Sequence, residues 1–164
     1  MIPYLTKTIL KVQRQPCVEI LKRRATMLNL TPTLHSEQPI RVFLVDDNRD
    51  FLSAMQRFLA NAPRIDIAGW AVSGAEALVS MAQCAPDLVI LDLVMPGVNG
   101  LEVTRRIKAM RDAPRVLILT LDEHFLYHVA ARRVGADGFL TKSKMGEQIL
   151  PLIYRLFARE SPPG

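Results

Sequence analysis

The sequence predicts an α/β fold in which five parallel β-strands alternate with five α-helices. From Ile40 onward, short apolar runs alternate with longer segments whose apolar residues recur at helical spacing. One of these runs, Leu88–Leu91, is apolar at every position before it reaches Asp92, as is typical of a strand buried on both faces. This alternation predicts βαβ units, which place the strands in one parallel sheet with right-handed crossovers.

Each predicted strand is an apolar run bounded by polar or turn residues, and each predicted helix has one apolar face. In chain order, the strands are predicted at Arg41–Val45, Ile65–Ala71, Leu88–Asp92, Arg115–Thr120 and Gly138–Thr141. The first four helices are predicted at about Asn48–Asn61, Gly74–Cys84, Gly100–Arg111 and Glu123–Val134. The fifth helix is predicted to run to about Arg159.

Helical spacing also predicts which side chains face the core. They are Phe51, Leu52, Met55, Phe58 and Leu59 in the first helix, Ala75, Leu78, Val79 and Ala82 in the second, Leu101, Val103, Ile107 and Met110 in the third, and Ile149, Leu152, Ile153, Leu156 and Phe157 in the fifth. Gly135 is expected to end the fourth helix in a left-handed conformation. Pro151 conflicts with a fifth helix that begins near Lys144, and much less with one that begins nearer Glu147.

Composition places the chain among globular proteins. Of its 164 residues, 49% are hydrophobic and 23% are charged, which suits one domain with an appendage. No apolar run approaches the roughly 18 residues of a membrane span. The first residues lack the pattern of a secretory signal. We therefore expect a cytoplasmic location.

Most of the net charge of +5 lies in the first 38 residues, where six Lys and Arg residues outweigh two Glu residues. The remainder has almost balanced charge, which argues against direct DNA binding, because that would require a basic stripe on a folded face. We expect residues 1–39 to be a basic, flexible extension, residues 40–160 the folded domain and residues 161–164 a tail. The alternative for the extension is a basic helix at Val18–Leu30 that docks on an acidic partner or a membrane surface.

Residues that can carry chemistry stand at the carboxyl ends of four predicted strands. Asp46 and Asp47 follow the first strand, Asp92 ends the third, Thr120 ends the fourth and Lys142 follows the fifth. Ligands of open α/β sheets bind at this edge. Three neighbouring carboxylates raise one another's pKa values unless a cation meets them. Mg²⁺ suits such a set, because it takes a few carboxylate oxygens and leaves room for phosphate.

The same residues predict phosphoryl chemistry. Lys142 offers a positive charge, and Thr120 offers a hydroxyl, to two oxygens of a phosphoryl group. Asp92 is then left as the nucleophile that forms an aspartyl phosphate. Each residue alone is weak evidence, but five such residues at successive strand ends are a specific pattern.

These residues resemble the receiver domain of two-component response regulators over about Pro39–Glu160, especially the branch that usually precedes a helix-turn-helix output domain. The motifs are Leu44-Val45-Asp46-Asp47-Asn48 for the acidic pair, Leu91-Asp92-Leu93-Val94-Met95-Pro96-Gly97 for the phosphoacceptor, Leu119-Thr120 for the switch threonine, and Gly138-Phe139-Leu140-Thr141-Lys142 for the strand with an aromatic residue and lysine. The resemblance implies a flavodoxin-like, doubly wound (βα)5 fold.

The resemblance also implies roles for the acidic residues. Asp92 is expected to accept a phosphoryl group from a histidine kinase or a histidine phosphotransfer protein, as one step of a phosphorelay. Asp47, Asp92 and the backbone carbonyl of Val94 would ligate Mg²⁺, with Asp46 acting mostly through water. The chain would then be a phosphoprotein in signal transduction and not an enzyme.

A further implication of the resemblance is a conformational switch. Thr120 and Phe139 would form the switch pair, the aromatic ring rotating as the hydroxyl closes on the phosphoryl group. The face formed by the fourth helix, fifth strand and fifth helix would change, and an output protein would bind one state better than the other.

Two positions differ from, or vary within, the family pattern. Ser143 follows Lys142 where many members have proline. Val94, two residues after Asp92, has no polar group that could orient an attacking water. We therefore expect slow self-dephosphorylation.

Other functions and assemblies stay open. The main alternative is a haloacid-dehalogenase-like phosphohydrolase, but that family needs a second Asp where this chain has Val94, and it expects its metal carboxylates downstream. A receiver fold used only as a scaffold is a third interpretation. The sequence ends soon after the fifth helix, so we expect a receiver that stands alone or is separated from its output domain, and a homodimer is left open.

Overall fold

In the computed structural model, which describes residues 38–158, five strands and five α-helices alternate along the chain. The strands are β1 (Ile40–Val45), β2 (Ile65–Ala71), β3 (Leu88–Asp92), β4 (Arg115–Thr120) and β5 (Gly138–Thr141). The helices are α1 (Arg49–Ala60), α2 (Gly74–Cys84), α3 (Gly100–Lys108), α4 (Phe125–Arg133) and α5 (Met145–Phe157), and a short 3₁₀ helix at Lys142–Lys144 precedes α5. The predictions made for residues 1–37 and 159–164 lie outside the described residues.

All five strands are parallel and form one sheet in the order β2-β1-β3-β4-β5. The predicted fold class, a flavodoxin-like doubly wound sheet, is confirmed. The strand order reverses between β1 and β3, which are neighbours at the point where such sheets bind their ligands. Val45, the last residue of β1, pairs with Leu91. Asp46 and Asp92 therefore follow matched positions at the same edge.

The sheet is covered on both faces, as its apolar strands require. On one face, α1 and α5 pack into a core with alternate strand residues, among them Leu44, Leu88 and Leu117. Side chains alternate along a strand, so the intervening residues point to the opposite face. Phe43 and Ile118 on that face have no exposed surface. Within residues 38–158, no helix combines the length and apolar character that crossing a membrane requires.

The predicted core face of α2 is wrong. Its buried residues are Gly74, Ala77, Met81 and Cys84, whereas Val79 is 68% exposed. Almost every residue of this helix is apolar or small, so the spacing of apolar residues did not distinguish its two faces. Tertiary packing distinguishes them, because the face that includes Gly74 lies against the rest of the domain. A Cβ on Gly74 would lie 2.4 Å from the carbonyl oxygen of Val98. The backbone of α2 therefore approaches the loop after β3 at that residue.

Smaller differences concern helix ends. Phe58 and Met110 are 36% and 41% exposed, so their assignment to the core is wrong, and Met110 lies beyond the end of α3. Gly135 has φ +89°, which confirms the left-handed residue after α4. Helix α5 begins at Met145, and Pro151 is therefore in its interior, where it cannot donate a backbone hydrogen bond. The side chain of Pro151 faces solvent.

Gly100 is expected to be essential for the loop that follows the third strand. A Cβ at this position would lie 2.3 Å from the carbonyl oxygen of Asp92 and 2.9 Å from Cα of Leu93. Because both are backbone atoms, relief requires a shift of the loop, and we expect Gly100→Ala to lower the free energy of unfolding by about 2–3 kcal/mol. Urea denaturation measures this change as a shift in the midpoint urea concentration, with the slope of the free energy against urea concentration unchanged.

Gly146 provides the matched control for this substitution. It is also in a helix, but a Cβ there meets nothing within 4 Å. Gly146→Ala is expected to be neutral or to stabilise by about 0.5 kcal/mol, because alanine has the higher helix propensity. Equal effects of the two substitutions would show that the crowding at Gly100 is unimportant.

Candidate functional site

Three carboxylates meet at the carboxyl edge of the sheet. Asp46 and Asp47 follow β1, and Asp92 is the last residue of β3. One oxygen from each of the three lies within 4.8 Å of the others. Asp46 is 2% exposed and Asp92 is 6% exposed, whereas Asp47 faces solvent. The cluster is therefore buried on one side and accessible on the other.

Lys142 supplies the positive charge of this site. Its Nζ lies 2.6 Å from Oδ2 of Asp46 and 3.0 Å from Oδ1 of Asp92. These three side chains are at most 10% exposed, so the ion pairs are largely shielded from water. The same Nζ lies 4.3 Å from the centroid of the Phe51 ring, a cation–π contact that further stabilises the ammonium.

Asp46 is held rigidly by two hydrogen bonds. Its Oδ1 accepts from the backbone N–H of Asn48, and its Oδ2 accepts from Lys142. The N-cap of α1 is Asn48, whose side-chain oxygen accepts from the N–H groups of Asp50 and Phe51. The acidic pair is therefore not needed to cap this helix, although Asp is a common N-cap residue.

Burial raises the pKa of Asp92 above its ordinary value. The nearby carboxylates of Asp46 and Asp47 also raise the pKa, and the hydrogen bond and charge of Lys142 oppose the rise. Oδ1 of Asp92 is engaged by Lys142, which leaves Oδ2 as the second carboxylate oxygen. That second oxygen is the one free to bind a cation or to attack an electrophile.

The donor set fits a hard divalent cation. Three carboxylates face a single ammonium, which leaves negative charge uncompensated at the edge of the sheet. Oxygen ligands in a partly open arrangement are what Mg²⁺ prefers, since it keeps several of its waters. Asp46, Asp47 and Asp92 are the only group of three or more potential metal-ligating side chains within the described part of the chain.

Thr120 and Phe139 lie on the two strands beyond Asp92. Asp92 pairs with Leu119 in β4, so Thr120 is one residue farther along the neighbouring strand, and it is fully buried. Its Oγ1 accepts a hydrogen bond of 3.1 Å from the N–H of Asp122. Phe139 is half-buried, and its ring makes an edge contact with that of His128, at 5.2 Å between centroids.

Two contributions to the site were not predicted. Phe51 was assigned only to the core, but its ring contacts Lys142. Its position in the first turn after Asp46-Asp47 is the signal that could have identified it. Gly100 allows the start of α3 to approach the backbone of Asp92 closely. An Asn-Gly pair such as Asn99-Gly100 is typical of a turn, but nothing in the local sequence indicates which atoms meet there.

The two histidines of α4 do not form a metal site with each other. His124 is the N-cap of the helix, and its Nδ1 accepts from the N–H of Leu126 at 3.4 Å. His128 instead packs against Phe125 and Phe139. Both histidines are exposed, and these contacts are those of surface residues.

Comparison with known proteins identifies relatives over most of the described chain. A family model described as a response regulator receiver domain matches residues 42–154. The nitrate/nitrite response regulator protein NarL of Escherichia coli is 29% identical over 127 residues, which cover 77% of this chain and 59% of that protein. The response regulator MprA of a Mycobacterium species is 35% identical over 125 residues, covering 76% of this chain and 53% of that protein. The chain thus spans a little over half the length of these relatives.

Solved structures agree with these sequence matches. The signal receiver domain of the putative response regulator NarL from Mycobacterium tuberculosis superposes with a TM-score of 0.68 and 28% identity, covering 74% of this chain and 99% of that one. A LuxR-family two-component response regulator from an Aurantimonas species has a TM-score of 0.68 and 30% identity, covering 74% of this chain and 88% of that one.

Proposed function

The chain belongs to the response regulator receiver family, and on that premise we propose that Asp92 accepts a phosphoryl group from a histidine kinase or a histidine phosphotransfer protein. The observation that carries this proposal is the shielded contact of Asp92 with the Lys142 ammonium, beside two further carboxylates. No observation favours a haloacid-dehalogenase-like phosphohydrolase, because the position of its second Asp is occupied by Val94. The relatives matched over half their length are named response regulators, so we propose a regulator without turnover of its own.

The proposed reaction is a transfer between two nucleophiles. Oδ2 of Asp92 forms a bond to phosphorus as the P–N bond of a phosphohistidine breaks, and the electron pair of that bond stays on the imidazole nitrogen. Lys142 balances the negative charge that gathers on the phosphoryl oxygens, and the Thr120 hydroxyl donates to one of them. Mg²⁺ bound by Asp47, Asp92 and the carbonyl of Val94, with Asp46 acting mostly through water, would supply the remaining positive charge.

The partner surface of this proposal is the face formed by α4, β5 and α5. Leu121, Phe125 and Leu126 are 81%, 72% and 65% exposed, although each is a large apolar residue. A groove of about 510 Å³ lies along α4, lined by Phe125, His128, Val129, Arg132 and Arg133. Because His128 contacts Phe139, a rotation of the Phe139 ring would move a side chain that lines the groove and would thereby alter partner binding. We place this event in the cytoplasm, as membership of the family implies.

The experiment for the proposed chemistry is phosphorylation by a small donor. The purified chain is incubated with acetyl phosphate and Mg²⁺ and examined by intact mass spectrometry. We expect one phosphoryl group per chain, removed by hydroxylamine as an acyl phosphate is, and absent when a chelator replaces Mg²⁺. No modification with Mg²⁺, or a modification stable to hydroxylamine, would contradict the proposal.

A partner is tested by affinity capture with and without the phosphoryl donor. Wild type and Asp92→Ala are compared, and proteins retained only by phosphorylated wild type define the output. A second copy of the chain is one such outcome. Identical partners in all four samples would argue against a phosphorylation switch.

The phosphorylated form is expected to hydrolyse slowly, because Val94 is 61% exposed beside Asp92 and has no group that can orient water. Val94→Asn is expected to shorten the lifetime by about tenfold, since a positioned amide can orient the attacking water. Loss of the acyl phosphate over time measures this rate. Val79→Asn is the control, because Val79 is similarly exposed, at 68%, on α2. A wild-type lifetime of seconds would contradict the expectation.

A further inference from the structure

A hydrogen-bonded bridge connects the loop after β4 to the end of β5. Oγ of Ser143 donates to Oε1 of Glu123 at 3.1 Å, and it lies 3.0 Å from Oγ1 of Thr141. Glu123 is in the loop between β4 and α4, twenty residues from Ser143 in sequence. A hydrogen bond to a carboxylate is stronger than one between neutral groups. The bridge therefore ties this loop to the segment that follows β5.

The restrained loop is the one that begins at Thr120. The Thr120 hydroxyl oxygen accepts from the N–H of Asp122, and the Asp122 side chain accepts from the N–H of His124. Glu123 lies between these two residues, so the bridge restrains the same loop that contacts the Thr120 hydroxyl oxygen. A movement of Thr120 toward a phosphoryl group on Asp92 would have to carry this loop with it.

We infer that the Glu123–Ser143 hydrogen bond stabilises the unphosphorylated conformation and so sets the switching equilibrium of this chain. The inference rests on the proposed function. Both residues are positioning residues, since they act through the loop and through the strand end that carries Lys142. A contact present in one conformation and lost in the other biases their populations by its own free energy. Ser143 is also where many family members have proline, which has no hydroxyl to form this bridge.

The bridge is tested with beryllium fluoride, a phosphoryl mimic that binds the acceptor carboxylate in the presence of Mg²⁺. Calorimetry measures the dissociation constant of this mimic. Ser143→Ala and Glu123→Ala are each expected to bind the mimic about three- to fivefold more tightly than wild type, the size of one net hydrogen bond. The double variant is expected to bind no more tightly than Ser143→Ala, because that substitution already removes the bond to Glu123 together with the contact to Thr141. Glu123→Gln is expected to match wild type, since its amide oxygen still accepts from Ser143.

Controls distinguish loss of the hydrogen bond from loss of the Glu123 charge. They also distinguish a failure of this inference from a failure of the proposed function. Asp112→Ala removes an exposed carboxylate that takes no part in the bridge, and it is expected to bind like wild type. The inference would be overturned if Glu123→Gln and Glu123→Ala bound the mimic equally more tightly than wild type while Ser143→Ala did not. That result would assign the effect to the charge of Glu123 and not to its hydrogen bond. Wild-type affinity in both alanine variants would also overturn it. If wild type itself fails to bind the mimic, the proposed function fails and this inference fails with it.

Discussion

Replacing Asp92 with asparagine is expected to abolish phosphorylation by acetyl phosphate. The amide has no nucleophilic oxygen that can form the acyl phosphate, yet it has the shape of the carboxyl group, and its oxygen can still accept from Lys142. Burial disfavours the ionised form of Asp92, so the neutral amide is not expected to lower the free energy of unfolding. Intact mass spectrometry measures the phosphorylation, and urea denaturation measures the stability.

Two further variants make the Asp92 result specific. Asp47→Asn removes an exposed acid of the same cluster, and it is expected to slow phosphorylation and raise its Mg²⁺ requirement without abolishing it. Asp112→Asn, distant in sequence and exposed, is expected to leave both unchanged. Full phosphorylation of Asp92→Asn would show that another residue is the acceptor.

Replacing Lys142 with alanine is expected to have the second-largest effect. The substitution leaves Asp46 and Asp92 buried without their shared ammonium, and removing one partner of a buried ion pair typically costs about 3 kcal/mol. Phosphorylation is expected to slow by about 100-fold, because the charge that balances the phosphoryl oxygens is lost. Urea denaturation and the initial rate with acetyl phosphate measure the two effects.

Mg²⁺ and a neighbouring lysine provide the controls for Lys142. Added Mg²⁺ is expected to stabilise Lys142→Ala more than wild type, since a ligand stabilises the state that binds it and the variant's carboxylates lack a competing cation. Lys144→Ala removes an exposed charge two residues away and is expected to alter neither stability nor rate. Similar behaviour of the two lysine variants would indicate that the ion pairs contribute little.

Strand positions were predictable because their signal is local. Runs such as Leu88–Leu91 are short, apolar at every residue and followed by turn residues, as is typical of a strand buried on both faces. Helix ends were less well predicted: α3 ends at Lys108, not at about Arg111, and α4 begins at Phe125 after an N-cap at His124. Capping hydrogen bonds decide such ends, and apolar spacing does not report them.

The positions of the site residues could be predicted from the strand order alone. Because parallel strands place their carboxyl ends at one edge, acids after β1 and β3 must approach each other once those strands are neighbours. Their partners could not be predicted in this way. Only the packed structure shows that Lys142 contacts both Asp46 and Asp92, and that its ammonium lies over Phe51.

By itself the sequence determined the order of strands and helices, the parallel sheet and the edge at which Asp92 meets the other acids. These follow from side-chain periodicity, which acts over a few residues. Tertiary structure alone decided which face of α2 is buried, how closely Gly100 approaches the backbone of Asp92, and that Glu123 bonds to Ser143. Each of these depends on distances of a few ångström between residues far apart in the chain, and such distances are set when the elements pack.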